Sequence, residues 1–215
     1  GWPGVVLCRV GAVLMEHKVD PHLDDFGTSD SDWLDVKVGV VGLGIAGFAC
    51  ADALIQRGAQ VTIHDESNGA KQIERATILE ILGARIELGT PPVAADDCQL
   101  LIVSPGVPPH AEVIRGALDR GIAVWGELEL AWRLRGQDAA RWLFVTGTNG
   151  KTTTTLMLES MLKAAGKKTA AVGNIGVSLV EAVTSGMDFD VFAIEVGAPQ
   201  LPFVHTISPL AAACL

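Results

Sequence analysis

A short glycine-rich segment between an apolar run and a helix-forming stretch constrains this chain more than any other feature. Residues 145–155 read VTGTNGKTTTT and overlap the end of the apolar run WLFV at 142–145. Such a run is typical of a buried strand. Gly147 and Gly150 have no Cβ, so the chain can turn sharply and bring backbone N–H groups close to phosphate oxygens. The segment therefore predicts a phosphate-binding loop between a strand and a helix.

The residues after the glycines supply the rest of a nucleotide site. Lys151 provides a cation for the β- and γ-phosphates of ATP, and the hydroxyl of Thr152 is a ligand for Mg²⁺. The helix predicted over residues 153–165 points its positive end at the same phosphates. A surface turn can also contain Gly-Lys-Thr, but the order of strand, glycines, lysine, hydroxyl and helix favours the nucleotide loop. The predicted ATP-binding residues are Gly147, Thr148, Asn149, Gly150, Lys151, Thr152 and Thr153.

Strand-like and helix-like segments alternate from residue 36 onward, which predicts an α/β fold of parallel sheets covered by helices. Residues 136–138 mark a boundary between a Rossmann-like domain at 35–137 and a P-loop ATPase domain at 138–215. The second domain is predicted to be incomplete, with an unpaired strand edge at the apolar run 210–215. The predicted strands are 38–41, 60–64, 85–88, 100–103, 122–125, 142–145, 169–172 and 191–195. The predicted helices are 46–57, 70–82, 111–120, 127–134 and 153–165.

Composition and charge exclude several classes of protein. The formal net charge of −9 argues against nucleic acid as the main partner, since a phosphate backbone requires a basic face. No apolar stretch approaches the roughly 20 residues of a membrane helix. The four cysteines form no C-x-x-C pair, which predicts reduced, mostly buried thiols in a cytoplasmic protein. His64, His110 and His205 show no metal-binding spacing and are predicted to lie at the surface or in turns.

Residues 1–34 match no functional pattern. Residues 4–15 are apolar, but Arg9 interrupts them and no basic segment precedes them, which argues against a secretory signal. Residues 20–35 are rich in Asp, Ser and Gly and predict a flexible acidic linker. We therefore assign no function to this extension.

A second glycine loop lies in the first domain. Gly42, Gly44 and Gly47 form the pattern G-x-G-x-x-G between a predicted strand and a predicted helix, and Asp65 ends the next strand. Alone, this pattern favours a Rossmann site in which Asp65 binds a ribose hydroxyl of NAD. The alternative is a tight strand–helix turn that binds no ligand.

Five short segments occur together in an order that is more specific than any one of them. They are VVGLGIAG at 40–47, SPG at 104–106, WGELEL at 125–130, TGTNGKT at 146–152 and GNIG at 173–176. In combination, over residues 32–215, they resemble the Mur ligase family, and especially its D-glutamate-adding actinobacterial members. Asn149 agrees with this branch, because the L-alanine-adding members usually have His there. The family's nucleotide loop is shortened, which accounts for Val145 standing where the usual pattern has a glycine.

The resemblance implies an ATP-dependent amide ligase of peptidoglycan precursor synthesis. Its implied substrates are ATP, UDP-N-acetylmuramoyl-L-alanine and D-glutamate, with an acyl phosphate formed on the alanine carboxylate. The implied substrate-binding residues are Gly44, Ile45, Ala46, Asp65, Glu66, Ser104, Pro105, Gly106 and Asn174. The implied catalytic residues are Lys151, Thr152 and Glu195, and the implied Mg²⁺ ligands among them are Thr152 and Glu195.

Several of these residues have simpler interpretations. Ser104 and Asn174 are common turn residues. Glu195 could be a solvated acid, although the tip of a strand facing a phosphate loop suits a Mg²⁺ ligand. Glu127 and Glu129 are expected to face solvent or to cap the preceding turn, with a packing role at the domain junction as the alternative.

One segment departs from the family pattern, which usually reads ELSSFQL where this chain has EVGAPQL at 195–201. The change removes two hydroxyls and an aromatic ring beside the metal and substrate contacts. The family's later metal-binding His, its modified Lys and the D-glutamate site are expected beyond Leu215. We therefore expect a monomeric chain that is inactive alone. An NAD-linked oxidoreductase and a non-catalytic nucleotide-binding module stay open as alternatives.

Overall fold

The computed structural model describes residues 33–94, 97–136 and 138–215, together with the backbone of residues 6–7. The first half of the described chain forms one parallel sheet with its helices, called the first unit below. Its elements are β2 (Lys37–Val41), α1 (Ile45–Ile55), β3 (Gln60–Asp65), α2 (Ala70–Ile81), β4 (Arg85–Leu88), β5 (Leu100–Val103), α3 (Glu112–Asp119), β6 (Ala123–Gly126) and α4 (Glu127–Leu134). The strand order is β4-β3-β2-β5-β6.

The second half forms another five-stranded sheet, called the second unit. Its elements are β1 (Val6–Leu7), β7 (Arg141–Thr146), α5 (Lys151–Ala164), β8 (Thr169–Gly173), α6 (Leu179–Thr184), β9 (Val191–Glu195), a 3-10 helix (Ala198–Phe203) and β10 (Ala211–Cys214). The strand order is β1-β10-β7-β9-β8, and every pairing is parallel except the antiparallel pairing of β1 with β10. The predicted α/β class with parallel sheets is confirmed.

One apolar core connects the two units. Side chains from both sheets belong to the same buried cluster. At the junction Trp132 of α4 meets Trp142 of β7 edge to face, with ring centroids 4.9 Å apart. Trp33 is buried and contacts Trp125 in the same way at 6.4 Å. The acidic segment predicted to be a linker therefore ends in a core residue.

The predicted strands and helices all have counterparts whose ends lie within two residues of the prediction. Helix α6 and the 3-10 helix were not predicted. The expected unpaired edge at the last strand is wrong over residues 213–214, because β1 pairs with them. The predictions for residues 8–32, which include Cys8, Arg9 and most of the acidic linker, lie outside the described residues.

Within the described residues, no helix has the length and apolarity needed to cross a bilayer. Cys50 and Cys98 are buried free thiols, as predicted for most cysteines, whereas Cys214 is exposed. Burial raises the pKa of Cys50 and of Cys98. Both thiols therefore stay protonated and unreactive at neutral pH.

Gly47 lets α1 pack directly on the turn after β2. A Cβ at Gly47 would lie 1.8 Å from the carbonyl oxygen of Gly42. We predict that Gly47→Ala lowers the free energy of unfolding by about 3 kcal/mol or more, since neither backbone can move without disturbing the other. Gly116 in α3 is a matched control, because a Cβ there meets no atom within 4 Å. Gly116→Ala should stabilise the fold by about 0.5–1 kcal/mol. Urea unfolding measures both changes, and equal effects would contradict this account.

Candidate functional site

The predicted phosphate loop connects β7 to α5 and is built on two glycines in the left-handed region. Gly147 has φ of 136° and Gly150 has φ of 77°. A Cβ at Gly147 would also lie 2.4 Å from the backbone oxygen of Leu215. Helix α5 begins at Lys151, so Lys151 and Thr152 stand in its first turn, where backbone N–H groups are free to bind an anion.

Lys151 lies folded over this loop. Its Nζ donates to the carbonyl oxygens of Gly147 at 2.9 Å and of Thr148 at 3.4 Å. The cation is thereby placed where the loop would receive phosphate. The other predicted loop residues are exposed to solvent and accessible to a ligand: Thr148, Asn149, Gly150, Thr152 and Thr153.

Glu195 connects the phosphate loop after β7 to the loop after β8. Strand β9 lies between β7 and β8, and the register aligns Glu195 with Val145 and Gly173. The Glu195 side chain is buried; its Oε2 accepts from Thr152 Oγ1 at 2.7 Å and its Oε1 from Asn174 Nδ2 at 3.2 Å. The structure thus brings the two predicted metal ligands into contact.

The donor atoms at this point fit Mg²⁺. A hydroxyl and a carboxylate are the hard oxygen ligands that Mg²⁺ prefers, and the ion commonly completes its shell with phosphate and water. No cluster of three or more His, Cys, Asp or Glu that could hold a metal occurs among the described residues. Thr152 and Glu195 supply two oxygen ligands and leave the rest of the shell to phosphate and water, which suits a metal shared with a nucleotide.

A cleft of about 630 Å³ opens at the carboxyl ends of the first unit's strands and is closed on one side by the second unit. Such an edge is where ligands bind in parallel sheets. All nine residues predicted to bind substrate lie in its lining: Gly44, Ile45, Ala46, Asp65, Glu66, Ser104, Pro105, Gly106 and Asn174. The residues of the sequence prediction therefore line one cleft, although they come from four separate segments.

Asp65 and Ser104 hold the first glycine loop in shape. Asp65 Oδ2 accepts from the backbone N–H of Leu43 at 2.6 Å. Ser104 Oγ donates to the carbonyl oxygen of Gly42 at 2.6 Å. At Gly44, by contrast, a Cβ would meet no atom within 4 Å. The hydrogen bonds of Asp65 and Ser104 thus fix the loop, and the space at Gly44 lets a ligand approach the backbone.

Comparison with known proteins identifies the family. The N-terminal domain of MurD-like Mur ligases matches residues 36–126, and the Mur ligase middle domain matches residues 145–213. The chain belongs to the Mur ligase family. The resemblance drawn from the five sequence segments is thereby confirmed, and this membership replaces the oxidoreductase interpretation of the first glycine loop.

Similar relatives of this Mur ligase carry the name UDP-N-acetylmuramoylalanine–D-glutamate ligase. The protein from Frankia casuarinae is 47% identical over 188 residues, which cover 87% of this chain and 40% of the relative. The protein from Streptomyces avermitilis is 43% identical over 177 residues, covering 82% of this chain and 38% of the relative. This Mur ligase chain therefore spans about two fifths of the length of these relatives.

Among solved structures, the UDP-N-acetylmuramate:L-alanyl-gamma-D-glutamyl-meso-diaminopimelate ligase from Neisseria meningitides is 18% identical to this Mur ligase. The superposition has a TM-score of 0.43 and covers 75% of this chain and 52% of that chain.

The segment that departs from the family pattern folds into the 3-10 helix after β9. The backbone N–H of Gly197 donates to Gln200 Oε1 at 2.8 Å, which closes the first turn of that helix. Pro199 lies inside this turn, where a residue without an N–H group is tolerated. Glu195 keeps its contacts with Thr152 and Asn174 despite the altered residues.

Glu127 and Glu129 of α4 were expected to face solvent, and that expectation is wrong. Both side chains are buried at the junction of the two units. Glu127 Oε1 accepts from Ser178 Oγ at 2.6 Å and from the N–H of Leu179 at 2.8 Å. The alternative, a packing role at the junction, is confirmed. The local sequence did not signal this burial at Glu129, because helical spacing places Glu129 and Arg133 together on a polar side of α4.

Glu129 anchors a second segment of the chain. Its carboxylate accepts from the N–H of His205 at 2.8 Å and from the hydroxyl of Thr206 at 2.6 Å. Arg133, one turn further along α4, donates Nε to it at 2.8 Å. The Arg133 guanidinium also lies 4.2 Å from the centre of the Trp125 ring.

The histidines differ from one another in environment. His64 is buried, so its predicted surface position is wrong, and its Nδ1 lies 3.2 Å from Glu87 Oε2. Burial lowers the pKa of His64, and Glu87 opposes this only in part. His110 is exposed, and His205 is exposed with its Nε2 at 2.9 Å from the carbonyl oxygen of Val124.

The pKa values of the two junction carboxylates shift in opposite directions. Burial raises the pKa of Glu127, and its hydrogen bonds only partly oppose this. Burial alone would raise the pKa of Glu129 too, but hydrogen bonds from Thr206, Arg133 and His205 outweigh it and lower the pKa. Glu129 therefore stabilises the folded state at any pH above the pKa that it has in the unfolded chain. This stabilisation is lost as the pH falls through its lower pKa in the folded state. For Glu127 the sign is reversed. The folded state is most stable below the pKa that Glu127 has in the unfolded chain, and this stability is lost as the pH rises through its higher pKa in the folded state.

We predict that Glu129→Gln lowers the free energy of unfolding at pH 7 by about 3 kcal/mol, because the carboxylate facing the buried Arg133 is removed. The difference from the unsubstituted chain should shrink at acidic pH. Glu127→Gln is the matched control: its amide oxygen can keep both bonds of Oε1, so stability at pH 7 should not fall. Urea unfolding at both pH values measures this, and equal losses in the two variants would contradict it.

Proposed function

We propose that the protein ligates D-glutamate to UDP-N-acetylmuramoyl-L-alanine, the two compounds in the names of its relatives. We propose further that the reaction uses ATP and Mg²⁺. In this assignment residues 35–137 form the domain that binds the UDP-linked substrate, and residues 138–215 form the first part of the ATP domain. Residues 1–34 stay unassigned. We further propose a cytoplasmic monomer.

One observation carries the proposal. The Glu195 carboxylate contacts Thr152 on the ATP loop with one oxygen and Asn174 in the wall of the cleft with the other. The predicted nucleotide site and the predicted acceptor site are therefore adjacent. A phosphoryl group can pass between two ligands only if both are held in line at short distance.

The chemistry proposed is activation of a carboxylate followed by amide formation. The alanine carboxylate oxygen attacks the γ-phosphorus of ATP, and ADP leaves, which gives an acyl phosphate. The amine of D-glutamate then attacks the acyl carbon, the amide forms, and phosphate leaves with loss of a proton from nitrogen. Lys151 and the α5 N-terminus stabilise the charge that develops on the transferred phosphoryl group. Bound Mg²⁺ would supply further charge neutralisation between the phosphates, held by Thr152 and Glu195.

The cleft would hold the UDP-linked substrate along its length. The backbone N–H groups of Ile45 and Ala46, at the start of α1, face the cleft and suit the diphosphate. Asp65 and Glu66 would lie beside the uracil or ribose. The turn at 104–106 borders the middle of the cleft, and Asn174 would contact phosphate or sugar at the end nearest the ATP loop.

We predict that the 215-residue chain binds uridine nucleotides more tightly than NAD. The glycine loop alone suits either ligand, but the second unit closes the cleft beside an ATP loop, as a ligase requires. Calorimetric titration with UDP, UDP-N-acetylmuramoyl-L-alanine and NAD compares the affinities. Tighter binding of NAD would overturn the proposed function.

In an enzyme of the relatives' full length, Lys151→Ala is expected to reduce ATP-dependent phosphate release at least about 10²-fold, because a preorganised charge at the transferred phosphoryl group is lost. Lys163→Ala is the matched control on the same helix. Lys163 is exposed and pairs with Glu159, an interaction that contributes little. Its loss should leave phosphate release unchanged, whereas similar rates in both variants would refute the role of Lys151.

A further inference from the structure

Residues 173–178, called the wall loop below, separate the cleft from the ATP loop. Five of these six residues line the cleft: Gly173, Asn174, Ile175, Gly176 and Ser178. Gly173 and Gly176 have φ of 99° and 69°, a region that glycine enters at little cost. The position of this loop therefore depends on what anchors its two ends.

The two anchors come from different units. At one end, the backbone N–H of Asn174 donates to the carbonyl oxygen of Glu195 at 3.0 Å, and the Asn174 side chain donates to its carboxylate. At the other end, Glu127 of the first unit accepts from the hydroxyl of Ser178 and the N–H of Leu179. Of these two anchors, the Glu127 anchor is the one that ties the loop to the unit that forms the rest of the cleft.

The Glu127 anchor also does not compete with a metal. The Glu195 carboxylate would also take part in binding Mg²⁺, so the Asn174 amide would share it with the metal. Glu127 belongs to the cleft lining, and the hydrogen bonds described for its Oε1 come from Ser178 and Leu179. It can hold the wall loop whether or not nucleotide and metal are bound.

Glu127 and Asp65 lie at opposite ends of the cleft. Asp65 ends β3 and Glu127 follows β6, so three strand spacings, about 14 Å, separate them across the sheet. A ligand with its uridine at Asp65 and its diphosphate at the α1 N-terminus reaches the wall loop only with the group beyond the diphosphate. Glu127 therefore stands beside the glycosyl part of such a ligand.

We propose that Glu127 is a positioning residue for the glycosyl part of the UDP-linked substrate, acting through Ser178 to place the wall loop and Asn174. The proposal rests on the function proposed above. Glu129 makes an equivalent clamp from the same helix, but it holds residues 205–206, which do not belong to the described lining of the cleft. Glu129 is therefore the control that distinguishes a role in positioning the substrate from a role in stabilising the junction.

The test is calorimetric titration of the 215-residue chain with two probes, UDP and UDP-N-acetylmuramoyl-L-alanine. Glu127→Ala should weaken binding of UDP-N-acetylmuramoyl-L-alanine about tenfold, the effect of losing about one hydrogen bond to a charged group. Binding of UDP should change less than about twofold, because UDP does not reach the wall loop. Glu127→Gln, which keeps an acceptor oxygen, should restore the affinity.

Three further variants make the result specific. Ser178→Ala should reproduce the selective loss, and the double variant should bind no more weakly than Glu127→Ala, because both act through one contact. Glu129→Ala should lower the urea midpoint but leave both affinities unchanged. If Glu127→Ala does not fold, Ser178→Ala and Ser178→Thr carry the same test.

The outcomes separate this proposal from the proposed function. Equal weakening of both probes, or unchanged affinities in Glu127→Ala and Ser178→Ala, would overturn the positioning role while the unsubstituted chain still binds both probes. Failure of the unsubstituted chain to bind either probe would overturn the proposed function, and the positioning role with it.

Discussion

The buried carboxylate of Glu195 is the interaction on which the candidate site depends. A buried charge is tolerated only when it is paired or hydrogen bonded, and Glu195 meets this need with Thr152 on one side and Asn174 on the other. The two partners follow β7 and β8, which lie on either side of β9, and the parallel register brings both to the height of Glu195. A shift of one residue would turn Glu195 to the opposite face of the sheet and separate the loops.

A second constraint follows, because the cleft exists only while the two units keep their relative orientation. Apolar packing between α4, β7 and α6 buries surface at the junction, but it does little to fix the orientation of the two units because the hydrophobic effect is non-directional. Glu127 and Glu129 help to fix that orientation, since each carboxylate accepts a hydrogen bond from a specific backbone N–H of the other unit. Ionising Glu127 costs stability, whereas ionising Glu129 provides it. A carboxylate kept at a cost beside the cleft agrees with a role in ligand binding, where stability is commonly traded for function.

Local patterns predicted most of the fold and both glycine loops, whereas the resemblance to the family supplied the residues that line the cleft. The glycines of both loops, the lysine and hydroxyl after the second loop, and the strand lengths all express short-range rules. Contacts between distant segments were not predictable in this way. The burial of Trp33 depends on Trp125, 92 positions away, and the pairing of residues 6–7 with β10 joins segments about 200 positions apart. An acidic composition and a two-residue strand carry too little local signal to indicate either.

The two glycine loops show why a fingerprint alone could not identify the ligand of the first unit. Each loop offers backbone N–H groups at a helix start, which bind phosphate regardless of what the phosphate is attached to. Discrimination must come from the groups that face the loop across the cleft. Here those groups belong to the second unit, and the Glu127–Ser178 contact holds them in place. In the proposed function, the motif that most resembles a dinucleotide site would obtain its specificity from the wall loop, more than 120 positions further along the chain.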